Sequence, residues 1–506
     1  MNRRVQLLVI LLALLSMAQV VVPPRLRRPH VRVVDFAGPP HDWPQFNYDV
    51  RHSGSNADEQ LIGAENIASL QMIFQRKLPS VSDGAPVLWA ASSKRRIDHY
   101  LFLTGTDGSL MAMNGLGEVR WQTAPPAGPR WTTSSPVLDP SRQFVYSYAL
   151  DGRVHKYALM TGAEIADSVW PVLVTRKPDV EKGSAALSIA TTTGGTSYLY
   201  ATVAGYPDPG DAGDYQGHVV AIRLSDGRSN TFNALCSHKS HVLGYGECTS
   251  LRAGVWGRPG AIYNEADNSV YIVTSNGSFT ANTGGSDWGD SIIRLRPDLH
   301  QVKGKPVDSY TPAEYQTLDD QDLDLGSSAL ALLPRPGETA PSLGVHAGKD
   351  STVRLIDLRN LSGQGGAGNV GGEIQKLKLP QKGFHLAAAA VWTDDEGDSW
   401  VYFANHHGIT AFELIGDAAN PQLVARWTSS AAGDSSPAVA NGVVFTVRTN
   451  RITALDAQTG AELWSDTRVG RIHWESPIVV NGAIYVTDFD GMLSAYALPK
   501  DFTFLR

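Results

Sequence analysis

Cys236 and Cys248 are the only two cysteines of the chain, and His238 and His241 lie between them. Two thiolates and two imidazoles can hold zinc, yet the spacing matches none of the usual finger patterns. Two thiols this close in an exported chain normally pair, so a short-loop disulfide is expected, with zinc as the alternative. Further along stand four carboxylates, Asp319, Asp320, Asp322 and Asp324, and then a Gly348-Lys349-Asp350 step. By residue type alone the first is a solvated acidic loop, and the second a turn-flanking ion pair worth less than about 1 kcal/mol. Asn276-Gly277 reads equally as an ordinary turn, and Trp256 as a sheet tryptophan. No Cys-x-x-Cys-His occurs, so no covalently attached haem is expected.

The elements that must position these residues form a repeat. Tyr100-Leu101-Phe102-Leu103, Asp107-Gly108 and Leu110-Met111-Ala112-Met113 have the same layout as Ile484-Tyr485-Val486, Asp490-Gly491 and Leu493-Ser494-Ala495-Tyr496. Equivalent first runs begin near Phe144, Tyr198, Val270, Leu343, Val401 and Val443, which makes eight units. Each is two strands joined by a tight turn in which Asp-Gly, where present, supplies positive φ. Asp456 to Trp464 adds a second turn and a strand ending on an aromatic, and Ala85-Pro86, Ser135-Pro136, Ser436-Pro437 and Ser476-Pro477 each announce a preceding strand. Four strands per unit cannot bury both faces alone, so the units must stack, and radial closure is the usual solution. The fold class is therefore all-β, an eight-bladed β-propeller of four-stranded antiparallel blades spanning residues 43–506. The strand Leu70 to Phe74 has no unit of its own and is expected to complete the last blade.

Length alone, at 506 residues, would suggest about three domains, but closed all-β folds routinely exceed that size. The chain has 42% hydrophobic and 18% charged residues, 49 Gly, 29 Pro, and a formal net charge of -7. Such a composition suits short strands and tight turns, and it offers no basic field for nucleic acid. At the N-terminus Arg3-Arg4, an apolar run from Leu7 to Leu15 and Ser16-Met17-Ala18 predict a signal peptide over residues 1–18, cleaved near Ala18. A proline-rich linker, 19–42, follows, and the expected location is periplasmic or secreted, with no membrane span after cleavage. The alternative is an N-terminal membrane anchor over Val5 to Val22.

Asp456-Ala457-Gln458-Thr459-Gly460-Ala461-Glu462-Leu463-Trp464 resembles the tryptophan-docking repeat of pyrroloquinoline quinone (PQQ) propellers, and Trp43-Pro44-Gln45-Phe46 with Arg51-His52-Ser53-Gly54 resembles the start of many of them. The middle of the chain resembles the cofactor-binding half of quinoprotein alcohol dehydrogenases. That resemblance gives Trp256 the place of the tryptophan beneath PQQ and Asn276 that of a metal ligand. It makes Asp322-Leu323-Asp324 the Asp-x-Asp whose first carboxylate is the base beside the metal and whose second marks the lanthanide-using branch. It makes Lys349 the cation at the reactive quinone carbonyl. The implied cofactors are PQQ with calcium or a lanthanide, and the implied metal ligands are Asn276, Asp322 and Asp324. Two features depart from the family. No adjacent-cysteine pair exists, and the family's glutamate ligand has only Asp211 or Asp214 as substitutes.

The implied activity is a PQQ-dependent dehydrogenase oxidising an alcohol or sugar hydroxyl and passing electrons to a separate acceptor. The rival is a non-catalytic propeller binding a protein or glycan partner. If the first holds, the oxygens of Asn276, Asp322 and Asp324 meet near the ring axis in an acidic, mostly empty pocket with Trp256 and Lys349 beside it, because two carboxylates that close repel unless a cation lies between them.

Overall fold

The computed structural model describes residues 40–499 apart from 94, 95, 127, 129 and 207–212. The expected signal peptide or anchor, nearly all of the linker and Asp211 lie outside the described residues.

Eight sheets follow one another along the chain. Numbered in that order, blades 1 to 7 span residues 87–122, 137–173, 181–233, 262–310, 331–378, 390–429 and 438–466. Blade 8 takes Ile478–Val480, Ala483–Thr487 and Met492–Ala497 from the end of the chain and its outermost strand, Gln71–Lys77, from the beginning. Pairing the two ends of the domain in one sheet closes the ring, as the unassigned strand before blade 1 led us to expect.

Small residues centred in the third strand of a blade fit between aromatics on the strands to either side. Ala454 lies opposite Phe445 on one neighbour and Trp464 on the other, Ala411 opposite Tyr402 and Trp427, and Ala112 opposite Phe102 and Trp121. Cross-strand aromatic pairs of this kind stabilise a sheet only if the residue between them is small. The outer tryptophan then docks on the next blade. Trp427 Nε1 donates to the Ala457 carbonyl at 3.0 Å, and Trp121 Nε1 to that of Leu159 at 3.1 Å. Blade 8 makes the same joint with Phe74, in register with Ala495 and packed on Gly117 of blade 1.

The inner strand of a blade has one edge facing the axis, where backbone groups lack a strand partner. Segment 43–56 supplies partners at this inner edge. Trp43 exchanges both backbone hydrogen bonds with Leu88 of blade 1, the Pro44 carbonyl accepts from Leu138 of blade 2, and Gln45 Oε1 accepts from Ile189 of blade 3. Val50, Ser53 and Gly54 carbonyls then accept from Tyr263, Val391 and Val439 of blades 4, 6 and 7, and Asn56 donates to the Val479 carbonyl of blade 8. Phe46, fully buried, packs with Ala85, Ala186 and Ala388 of the loops entering blades 1, 3 and 6. These contacts to blades all round the ring put Trp43-Pro44-Gln45-Phe46 across the axis as a plug.

The cysteines form the expected disulfide, Cys236 to Cys248, which removes zinc as a reading of that loop. His238 and His241 turn instead to Ser286 and Glu247.

Two outcomes test this account. Gly460 holds a φ of +71°, and a Cβ there would lie 2.5 Å from the Trp427 ring, so Gly460→Ala lowers stability by more than about 1 kcal/mol in urea unfolding. Reducing the disulfide, which closes a sequence separation of 12, lowers stability by about 3 kcal/mol.

Candidate functional site

The loops entering the inner strands and those leaving the second strands lie at the same end of the blades, because these two strands are antiparallel. Blades 4 and 5 each contribute both kinds. Trp256 precedes the inner strand Ile262–Asn264, and Asn276 follows the second strand Ser269–Val273 of blade 4. Asp322 and Asp324 precede Ala331–Pro334, and Lys349 follows Pro341–Ala347 of blade 5.

The structure brings all five together. Asp324 accepts the backbone N–H of Asn276 at 3.0 Å, and the Asn276 side-chain amide donates to Asp322 at 3.1 Å. Lys349 Nζ lies 2.5 Å from Asp324 and 3.3 Å from Asp322. The same ammonium is 5.6 Å from the Trp256 ring centre, and Trp256 meets Trp474 of the loop entering blade 8 edge-on at 6.2 Å. Blades 4 and 8 are opposite in a ring of eight, so the Trp256–Trp474 contact sits on the axis and the charged group lies beside it.

The two carboxylates differ in environment. Asp322 is 81% exposed with φ +54°, whereas Asp324 is 10% exposed and has both oxygens engaged. Burial raises the Asp324 carboxyl above its usual range, against the pull of Lys349. Burial works against the charge of Lys349 too, but Asp324 and then Asp322 outweigh it and hold the ammonium above its ordinary value. The expected empty acidic pocket is therefore corrected, because Lys349 itself lies between the carboxylates and cancels their repulsion. Nor does Lys349 pair with Asp350, which is taken by Arg354. Asn276 Oδ1 is buried without a partner among the described residues.

Among the described residues no three His, Cys, Asp or Glu side chains gather as a metal-holding group. Asp214 turns to Lys177, Gln216 and the backbone of Gly246, so it adds no ligand here. Reading the sequence missed Asp290, which is 1% exposed, accepts the N–H of Leu325 at 2.9 Å and keeps its other oxygen unpartnered. Burial, with Asp324 nearby, pushes its carboxyl well above the usual range. Its only signal was one more Asp in a loop.

Also unread was a second group across the axis. Asp83, in the loop entering blade 1, accepts from His473 Nδ1 at 2.7 Å and from the N–H of Trp474 at 3.2 Å. Glu475 is fully buried, with one oxygen on the N–H of His473 and the other unpartnered. Burial, and then the charge of Asp83, push the Glu475 carboxyl up to about 8 from 4.5. Between those values the folded chain keeps a proton that the unfolded chain has lost, so this group makes stability fall as pH rises from about 4.5 to about 8. Urea unfolding at pH 5 and pH 8 checks this: Glu475→Gln gains stability relative to the unsubstituted protein at pH 8 and not at pH 5.

Residues 415–500 match the family described as outer membrane protein assembly factor BamB. No curated protein sequence matches the chain. Among solved structures, the quinohemoprotein alcohol dehydrogenase ADHIIG of Pseudomonas putida HK5 superposes with a TM-score of 0.63 at 14% identity, over 90% of this chain and 80% of that one. The quinohemoprotein alcohol dehydrogenase of Comamonas testosteroni gives 0.61 at 16%, over 90% and 80%. A europium-containing methanol dehydrogenase gives 0.61 at 15%, over 90% and 98%. Residues 415–500 thus match a PQQ-repeat family model, and the eight-bladed fold of the chain resembles that of the quinoprotein alcohol and methanol dehydrogenases.

Proposed function

We propose that the chain is a periplasmic or secreted PQQ-dependent dehydrogenase that oxidises an alcohol or sugar hydroxyl and passes the electrons to a separate acceptor. One observation carries the reading: residues from four separate loops, Trp256, Asn276, Asp322 with Asp324, and Lys349, meet beside the axis. The residues fit a hard cation, because Asn276 Oδ1 is a buried oxygen in want of a partner next to two carboxylates. Calcium or a lanthanide would be held by Asn276, Asp322 and Asp324. PQQ, when bound, supplies the hydride acceptor, and the cation supplies its polarisation.

The protein's own groups do the rest. Trp256 offers a broad apolar face to a flat cofactor. Lys349, held charged by its two carboxylates, places fixed positive charge where negative charge develops on an oxygen beside Trp256. Asp322, exposed and therefore within reach of a hydroxyl, accepts the proton of the alcohol. Asp324, buried, holds Lys349 and Asn276 in place through one contact on each oxygen, which leaves a lone pair on each for a cation.

A second reading is a non-catalytic scaffold that binds a protein or glycan. It is favoured by Lys349 already neutralising the carboxylates and by the match of residues 415–500 to an assembly factor.

Reconstitution separates the two. Purified protein given PQQ with calcium, or with a lanthanide, acquires the absorbance of bound quinone and oxidises alcohols or sugars with an artificial acceptor. Asp322→Asn keeps the thermal melt and loses turnover by at least about 100-fold. Neither absorbance nor turnover with either metal leaves the scaffold.

A further inference from the structure

Five loops that enter inner strands converge beside the Trp256–Trp474 contact, and their polar groups do not satisfy one another. Arg258, 2% exposed, donates through Nη1 alone, to the carbonyls of Thr133 at 2.9 Å and Ser184 at 3.1 Å in the loops of blades 2 and 3. Its Nε and Nη2 are buried without partners, and among the described residues it has no carboxylate within ion-pair distance. Its guanidinium lies 5.6 Å from the ring centres of both Phe46, the axial plug, and Trp474. Lys182 is 4% exposed; its ammonium makes no hydrogen bond or ion pair among the described residues and sits 3.4 Å from the Trp131 ring centre and 5.5 Å from that of Tyr206.

Around these two cations the hydroxyls of Ser82, Ser184 and Ser476 and one oxygen of Glu475 are also buried and, among the described residues, unpartnered. A buried polar group left unsatisfied costs about 1–3 kcal/mol, and more when charged, so a set of them on one axis is the mark of a binding site rather than of a finished core.

The unused edge of Arg258 sets the chemistry. Nε and Nη2 are the two parallel donors with which a guanidinium grips a carboxylate bidentately. Asp83 stands close by and would repel the double charge concentrated on one tetrahedral phosphate, whereas one planar carboxylate brings a single charge to Arg258 and Glu475, protonated up to about 8, adds none. The walls, Phe46, Trp131 and Trp474, are flat and aromatic.

We propose that Arg258 and Lys182 form an axial site for a carboxylate on a flat, conjugated ligand, with Arg258 gripping it and Lys182 adding the second cation. Two sources carry that chemistry, a carboxylate of the quinone cofactor or one on the substrate. In the first case the site deepens the function proposed above and rests on it; in the second it does not. Lys182 is pulled down to about 7 by burial, as befits an ammonium that lacks its anion.

The test uses full-length protein free of PQQ and metal, with isophthalate as the probe and inorganic phosphate as the control. Isophthalate binds by calorimetry and quenches tryptophan fluorescence, and phosphate does not compete. Arg258→Lys and Lys182→Gln, each confirmed as folded by its thermal melt, weaken isophthalate by at least about tenfold, the worth of a charged hydrogen bond. PQQ that displaces isophthalate assigns the site to the cofactor, and PQQ that binds beside it assigns the site to the substrate. Isophthalate binding without any PQQ-dependent turnover would support this site while removing the dehydrogenase. No isophthalate binding, phosphate binding as tightly, or unchanged affinity in both variants overturns the proposal, even if PQQ turnover is found.

Discussion

The inner edge of each blade is a row of backbone groups facing the axis, and how those groups are satisfied governs everything built above them. A propeller removes the outer faces of its sheets from water by stacking, but it cannot pair the inner strands with one another. In this chain segment 43–56 crosses the axis and bonds to the inner strands of blades 1, 2, 3, 4, 6, 7 and 8 before the chain begins its first blade. Serine hydroxyls in the loops entering the strands tie neighbours together at the same level, Ser135 to Ala85 and Ser436 to Ala388. With the axis plugged by Phe46 against the loops that enter the inner strands, those loops turn polar side chains inward beside it.

The two charged groups on that axis solve the same electrostatic problem differently. Beside blades 4 and 5, a carboxylate too buried to ionise alone is paired with Lys349, which is why Asp324 can remain a fixed anchor. Beside Trp256 and Trp474, Arg258 receives backbone carbonyls and aromatic faces and Lys182 receives aromatic faces, but among the described residues neither has an anion within bonding distance. The first group is neutralised by internal pairing, whereas the second keeps buried donors without partners among the described residues.

The ring was legible because its signals are local. A turn, an apolar run and an alanine recur within a few residues, and the alanine recurs for a packing reason, as Ala454 between Phe445 and Trp464 makes plain. The gathering of Asn276, Asp322, Asp324 and Lys349 was legible only through resemblance, since nothing in their spacing says that blades 4 and 5 bring them within bonding distance. What they meet was misjudged. Coulomb repulsion between carboxylates was weighed in the sequence, but the cation nearest in space proved to be the lysine already counted for another role. Arg258, Lys182, Asp83 and Glu475 left no signal, because their closeness depends on ring geometry that places blade 4 across from blade 8. Had each loop before an inner strand been read as pointing to the axis, Trp256-Gly257-Arg258-Pro259 would have named the arginine.

Asp322 and Asp324 show how backbone conformation divides labour between identical side chains. The helix Tyr315–Asp320 ends just before them, and Asp322 takes a left-handed φ of +54°, a conformation that Asp tolerates better than most residues. By Asp324 the chain has returned to φ -30°, ψ 119° and enters a short 3-10 turn, Leu325–Ser327, whose first N–H is taken by Asp290. That reversal lets two carboxylates two residues apart face one ammonium while only the second is buried. An extended chain would also put residues i and i+2 on one face, but at the same depth. The kink thus leaves Asp322 in contact with solvent and with whatever approaches along the axis, and it commits Asp324 to holding Asn276 and Lys349. A single acid in either place would have to serve both as anchor and as exposed acceptor, and burial deep enough for the first excludes the second.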